Sequence, residues 1–240
     1  MRLRKSVLVA CVLLLAGFLF SCGGEGGKPS TVSTTNGIVL AWTPSHQDDT
    51  GRDWHEYAIC GDIVKRAMAL LPEYENVLCW ETKMGLSSSN PEALKSECDQ
   101  VAASHAQIFI SIHVNGGDAQ GFTARYYSGD TASGRYADAL LKSIGETMDM
   151  KYTKAHGTAD LYVLNPNRNP APIRVLLECG TNEIDRPWLS TKSGRQKLAA
   201  AIVKAIRGNT PSLDLAGCAL VAARADATPK SFFSSAPPAG

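Results

Sequence analysis

Between residues 37 and 208 the chain alternates short apolar runs with longer segments in which apolar residues recur at helical spacing. The apolar runs predict strands at 37–41, 76–80, 107–113, 122–127, 161–164 and 174–179. The periodic segments predict helices at 53–71, 90–105, 137–148 and 191–207, and Asn90 followed by Pro91 is typical of a helix start. This alternation predicts a single α/β domain with a largely parallel central sheet and helices on both faces.

Polar side chains follow several of these strands, where the active sites of parallel sheets are found. His46 follows the first strand, Glu56 lies in the first turn of the next helix, and His113 closes the central strand. Glu178 lies near the end of the last buried strand. Catalytic zinc is held by three protein ligands, of which two His and one Glu are a known set. A second carboxylate is then the expected general base.

Two local motifs resemble those of a known family. The segment 110–115, Ile-Ser-Ile-His-Val-Asn, is similar to the Ser-x-His-x-Asn signature of the zinc-dependent N-acetylmuramoyl-L-alanine amidases of the type-3 family. The segment 175–182, Val-Leu-Leu-Glu-Cys-Gly-Thr-Asn, resembles the Val-Glu-x-Gly-x-x-Asn element of that family. Weaker similarity extends to the apolar strand at 38–40 with His46, and to Gly51 ahead of Glu56, so that the resemblance covers roughly residues 37–208.

The resemblance implies an enzyme that cuts the amide bond between N-acetylmuramic acid and L-alanine in peptidoglycan. It implies that Zn²⁺ is bound by His46, Glu56 and His113, and that Glu178 is the catalytic carboxylate. The chain departs from the family pattern beside His46, where Ser-His-Gln-Asp stands for Gly-His-Gly-Gly, and at Lys83, where the family has Arg. A family Arg is also replaced within 95–99. These departures indicate a divergent branch of the family, and they concern substrate recognition more than metal binding.

The first 36 residues predict export. Residues 1–21 have the basic start and apolar run of a signal peptide, and that run is shorter than the ~20 residues that span a bilayer. The segment 19–22 resembles a bacterial lipobox, which implies a lipid on Cys22, and residues 22–36 read as a flexible tether. We expect a cell-envelope lipoprotein that faces the periplasm. Gly23 after the lipidated Cys favours the outer membrane, if the organism has one.

Charge and cysteine content limit the kinds of partner and of covalent cross-link that the chain can have. The formal net charge is +1, so nothing indicates a nucleic-acid-binding surface. Separately, we expect a monomer. Residues 209–240 form a low-complexity tail. Once Cys11 leaves with the signal and Cys22 is lipidated, five cysteines remain, and an odd number leaves at least one thiol free unless chains pair. Those five are Cys60, Cys79, Cys98, Cys179 and Cys218.

Two alternatives stay open. A zinc peptidase or carboxypeptidase acting on the peptide stem can use similar ligands, but it usually has its first two ligands three residues apart, whereas His46 and Glu56 are ten apart. An inactive, lipid-anchored wall-binding module would account for the altered residues around His46, but it would have no need of Glu178. The sequence shows no long insertion that would cover the zinc, so we expect an open site.

Overall fold

The computed structural model describes residues 37–47, 54–79, 90–116 and 121–210, which belong to one compact unit. The described residues form a six-stranded sheet in the order β2-β1-β3-β6-β4-β5. Its strands are β1 (Val39–Pro44), β2 (Glu75–Leu78), β3 (Ile108–Asn115), β4 (Phe122–Tyr127), β5 (His156–Thr158) and β6 (Ile173–Thr181). Strands β2, β1, β3 and β6 run parallel to one another, whereas β4 is antiparallel to β6 and β5 pairs in parallel with β4. The predicted α/β fold class is confirmed.

Helices cover both faces of this sheet. They are α1 (Glu56–Leu70), α2 (Pro91–Ser104), α3 (Thr131–Met148), the short α4 (Arg186–Leu189) and α5 (Lys192–Asn209). The start of α2 follows the sequence signal, because the Asn90 side chain accepts hydrogen bonds from the backbone N–H groups of Glu92 and Ala93. Such a cap satisfies donors that have no partner inside the helix. It fixes where α2 begins, and hence which of its side chains face the sheet.

The sheet separates two apolar layers, because successive side chains of a strand point to opposite faces. On one face Leu40 of β1 and Ile110 of β3 pack in the layer that contains α1, α3 and α5. On the other face Ala41 of β1, Phe109 of β3 and Leu176 of β6 pack in the layer that contains α2. His113 and Glu178 share the parity of Phe109 and Leu176, so both lie on the α2 face.

Several elements differ from the sequence predictions. Residues 161–164 were predicted as a strand, but Tyr162–Leu164 form a 3₁₀ helix. The prediction was wrong because side chains bind the backbone carbonyls there. Asn169 donates to the Val163 carbonyl at 2.8 Å and Arg174 donates to the Leu164 carbonyl at 3.0 Å. Strand β5 and helix α4 were missed.

The third helix is longer than predicted. It begins at Thr131 instead of 137, because Asp130 caps it by accepting from the backbone N–H of Ser133. Its first turn, Thr-Ala-Ser-Gly, has too little apolar periodicity to be recognised as helical. The capped turn nevertheless packs close to the sheet, since a Cβ atom at Gly134 would lie 2.9 Å from the ring of Tyr126.

Several sequence predictions fall outside the described residues. These are the signal peptide at 1–21, the lipidated Cys22 and tether at 22–36, Cys218, and the tail beyond Thr210. Cys60, Cys79, Cys98 and Cys179 are described, and all four are free and buried. No helix within the described ranges is long and apolar enough to cross a membrane.

Candidate active site

A cavity of about 390 Å³ opens on the α2 face of the sheet. Three of the four side chains predicted from sequence line it, namely His46, His113 and Glu178. Its remaining lining residues are Gln47, Leu94, Glu97, Arg125, Asp160, Leu161, Tyr162, Val163 and Leu176. The parallel strands β1, β3 and β6 therefore deliver polar side chains from distant parts of the chain to one place.

His113 and Glu178 are neighbours across the sheet. They are register partners on the adjacent parallel strands β3 and β6, and both point to the α2 face. Neighbouring strands lie about 4.8 Å apart, so the imidazole and the carboxylate stand side by side. Beyond this pair the register shifts, and Asn115 pairs with Thr181. The Asn182 backbone N–H donates to the Asn115 carbonyl at 3.0 Å, which ties the two strand ends together.

Glu56 contacts the same imidazole. It is buried in the first turn of α1, and its Oε1 lies 3.3 Å from His113 Nδ1. The same oxygen accepts a hydrogen bond from the Val114 backbone N–H at 3.1 Å. A carboxylate in the first turn is also favoured by the helix dipole. Glu56 is thus fixed at the end of β3, beside the cavity that His113 lines.

His46 is paired with a residue that the sequence predictions missed. Its Nδ1 lies 2.9 Å from Oε1 of Glu97 on α2, and the two residues are 3% and 4% exposed. The loop before His46 is anchored by the Ser45 backbone N–H, which donates to the Ile112 carbonyl at 2.8 Å. Glu97 lies four residues from both Ala93 and Val101, which are buried. A charged residue on the apolar stripe of a helix is the signal that could have identified it.

The strand β6 ends in a turn that depends on glycine. Gly180 has a φ of +97°, and a Cβ atom there would lie 2.9 Å from the Cβ atom of Asp185. The buried Asp185 carboxylate accepts from the backbone N–H of Thr181 at 2.8 Å, from that of Gly121 at 3.4 Å, and from Trp188 Nε1 at 3.1 Å. These contacts hold the backbone directly after Glu178.

The surroundings of the cavity shift the pKa values of Glu178 and His113. Burial raises the pKa of Glu178, and the Glu56 carboxylate raises it further against the opposing effects of His113 and Arg125. Burial alone would lower the pKa of His113. The hydrogen bond with Glu56 and the negative charges of Glu178, Glu56 and Glu97 outweigh that effect and raise the His113 pKa. The site therefore attracts positive charge.

Of the three predicted metal ligands, His113 pairs with Glu56, whereas His46 pairs with Glu97, which was not predicted. Within the described ranges, no three His, Cys, Asp or Glu side chains already stand together as a ready metal site. The donor types nevertheless fit zinc, which binds imidazole nitrogen and carboxylate oxygen. Three carboxylates beside two imidazoles also carry the negative charge that a divalent cation would offset. The residues present thus suit a zinc ion in kind and in charge.

Comparisons with known proteins bear on the family and on the fold of the chain. The sequence profile of the Amidase_3 family, described as N-acetylmuramoyl-L-alanine amidase, matches residues 43–208. Among curated protein sequences, no match is found.

Solved structures show the same fold. The amidase Ami1 from Mycobacterium smegmatis superposes with a TM-score of 0.62 at 20% identity, over 74% of this chain and 98% of that one. An amidase from Clostridium difficile 630 gives 0.62 at 17% identity, over 74% and 99%. AmiC2 of Nostoc punctiforme gives 0.59 at 22% identity, over 72% and 97%.

Proposed function

Because the chain belongs to the N-acetylmuramoyl-L-alanine amidase family, we propose that it is a zinc-dependent hydrolase of peptidoglycan. The bond cut is the amide between the lactyl carbonyl of N-acetylmuramic acid and the amine of L-alanine. The observation that carries this proposal is the placement of Glu178 beside His113 in a cavity that His46 also lines. The cavity is large enough to take a substrate group, since ligand pockets commonly start at about 300 Å³.

His46, Glu56 and His113 would hold the zinc ion. When bound, zinc polarises a carbonyl and lowers the pKa of water from ~15.7 to ~7. The protein supplies the ligand orientation: the Val114 N–H fixes Glu56, which in turn lies against His113. Without zinc, the carboxylates that surround His113 raise the pKa of its imidazole, so a proton and the metal ion compete for this side chain. Zinc binding is therefore expected to weaken in acid.

Glu178 is the general base and then the general acid. Its carboxylate takes a proton from the attacking water as the water oxygen bonds to the lactyl carbonyl carbon. It returns that proton to the L-alanine nitrogen as the carbon–nitrogen bond breaks, so the leaving group departs as a neutral amine. Burial raises the pKa of Glu178 toward the range in which a carboxyl group can both accept and donate near neutral pH.

The test replaces Glu178 by Gln in the full chain and maps by mass the products of purified peptidoglycan digestion. The exchange keeps the shape of the side chain and removes its basicity, so we expect the rate to fall by about 10²–10⁴. The matched control is Glu183→Gln, an exposed carboxyl nearby, which should leave the rate unchanged.

The products separate the candidate activities. An amidase releases intact stem peptides with a free L-alanine amine. Fragments in which muramic acid keeps its L-alanine would instead favour the stem peptidase. If the Glu178→Gln variant were as active as the parent protein, Glu178 could not be the general base.

We further propose that the protein is exported and anchored by a lipid on Cys22, facing the periplasm, in the outer membrane where one exists. The signal-like residues 1–21 and the lipobox-like segment 19–22 support this proposal. Anchoring would keep the enzyme beside its peptidoglycan substrate. Replacement of Cys22 by Ser should abolish labelling with a radioactive fatty acid and shift the protein out of the membrane fraction. Unchanged labelling would contradict lipidation at Cys22.

A further inference from the structure

Glu97 is a buried carboxylate with no role in the reaction described above. Among the residues that the structure describes, the other buried charged groups outside the predicted ligands have clear structural partners. Arg174 pairs with Asp130 at 2.5 Å, and Asp185 accepts from backbone N–H groups. Glu97 instead lines the active-site cavity and contacts His46.

We propose that Glu97 is a positioning residue, which accepts a hydrogen bond from Nδ1 of His46 and reserves Nε2 of that imidazole for the metal. The inference rests on the proposed zinc function and goes beyond it by assigning a residue outside the predicted ligand set. A neutral imidazole carries its proton on one nitrogen and a lone pair on the other. A carboxylate at 2.9 Å from Nδ1 favours the tautomer with the proton on Nδ1, so that only Nε2 can donate its lone pair.

The energetics also favour this role. A buried carboxylate loses most of its favourable hydration, and only good hydrogen-bond or ionic partners compensate for that loss. A neutral imidazole is a modest partner, whereas an imidazole bound to a divalent cation is a much stronger hydrogen-bond donor. The Glu97–His46 contact is therefore strengthened when metal is bound.

The placement of Glu97 follows from the fold. The Asn90 cap fixes the start of α2, and the buried stripe through Ala93 and Val101 turns residue 97 toward the sheet. The Ser45–Ile112 backbone hydrogen bond fixes the loop that carries His46. Glu97 and His46 are thus each held by a separate, fixed backbone segment. A contact that orients a metal ligand requires such rigid support.

Glu97 also acts on the second imidazole. Its negative charge is among those that raise the pKa of His113. It therefore contributes both an orientation for His46 and a negative potential at the cavity.

The experiment compares zinc affinity in the full chain and in three variants, by competition with a chromophoric chelator. Glu97→Gln keeps an oxygen that can accept from Nδ1. Glu97→Met fills a similar space in a helix but offers no such acceptor. Glu92→Gln is the matched control, an exposed carboxyl on the same helix. Thermal unfolding and near-ultraviolet circular dichroism confirm that each variant is folded.

We expect Glu97→Met to weaken zinc binding by about 10–100-fold, the usual effect of losing such a partner. Glu97→Gln should stay much closer to the parent, and Glu92→Gln should equal it. In the zinc-loaded parent, long-range ¹H–¹⁵N spectra should show the His46 proton on Nδ1.

Three results would overturn the proposal. Equal zinc affinity of Glu97→Met and the parent would leave Glu97 a purely structural residue. A Glu97→Gln variant as weak as Glu97→Met, with the His46 proton on Nε2, would make Glu97 a direct ligand. If the parent protein bound no zinc, the proposed metal site itself would be wrong. This result is distinguishable from a loss of zinc affinity that occurs only in the Glu97 variants.

Discussion

At the scale of single residues, the face of the sheet that carries the site holds both satisfied and unsatisfied polar groups. Glu56 has its backbone donor and its imidazole, and Glu97 has His46. Thr43 near the end of β1 differs, because it is 0% exposed and its Oγ1 has no hydrogen-bond partner in the part of the chain that the structure describes. An unpaired buried hydroxyl costs about 1–3 kcal/mol.

Thr43→Val should therefore stabilise the protein. The two side chains have nearly the same shape, so the exchange removes the unpaired hydroxyl without leaving a cavity. We expect the free energy of unfolding to rise by about 1 kcal/mol, measured by urea denaturation. The matched control is Ser111→Ala on the neighbouring strand, which removes a buried hydroxyl that is not among the unsatisfied groups. A loss of stability in Thr43→Val would show that the hydroxyl does have a partner.

Gly180 is required by its backbone conformation. Its φ of +97° and the close approach of Asp185 both exclude a side chain. Gly180→Ala should lower the free energy of unfolding by about 1–3 kcal/mol, and it should lower peptidoglycan hydrolysis because Glu178 lies two residues away. Gly208→Ala is the control, since a Cβ atom there meets nothing within 4 Å. Equal stability of Gly180→Ala and the parent would contradict a constrained turn.

Only some residues of the candidate site could be predicted from the sequence. His113 and Glu178 lie within local motifs, and the structure places both at the cavity. Glu97 could not be chosen from a motif, because a lone Glu in a helix is usually on the solvated face. Only its position on the apolar stripe distinguishes it, and its partner His46 is remote in the chain.

At the scale of elements, ion pairs join helices that the sheet alone does not fix to each other. Asp62 on α1 accepts from Arg66 Nε at 2.9 Å and also contacts Arg195 on α5. Burial opposes ionisation of Asp62, but the hydrogen bonds and charges of the two guanidinium groups outweigh it and lower the Asp62 pKa. The folded protein thus binds the Asp62 proton less tightly than the unfolded chain does.

Asp62→Asn should destabilise the protein in a pH-dependent way. Because the folded pKa is lowered, the stabilisation is present above the unfolded value of ~3.9 and is lost as the pH falls through the folded pKa. We expect a deficit of about 1 kcal/mol at pH 7 that shrinks below about pH 4, followed by thermal unfolding across pH. Glu146→Gln, an exposed exchange on α3, is the control. A deficit that stays constant down to pH 2 would contradict the ion pair.

Elements with strong apolar patterns were the predictable ones. The strand at 122–127 was predicted with its observed bounds, Phe122–Tyr127. The strand β5, His-Gly-Thr, has no apolar run and is set by pairing with β4. The segment Tyr162–Leu164 is apolar but is folded into a 3₁₀ turn by side chains from Asn169 and Arg174. Such contacts cannot be recognised from local periodicity.

At the scale of the whole molecule, the parallel sheet explains how distant residues meet. His46, His113 and Glu178 each follow or end a different strand, and parallel pairing brings those ends to one edge. Apolar layers on both faces hold the strands, while α2 brings Glu97 over that edge. The buried core thus determines the geometry of a site whose own groups are costly to bury.

The most direct test of this account is zinc dependence of hydrolysis in the full chain. Zinc would be removed with a chelator, quantified, and added back in steps while the release of stem peptides with a free L-alanine amine from peptidoglycan is followed. The account predicts no release from the metal-free protein and full recovery at one zinc ion per chain. Undiminished release from protein shown to be free of zinc would contradict it.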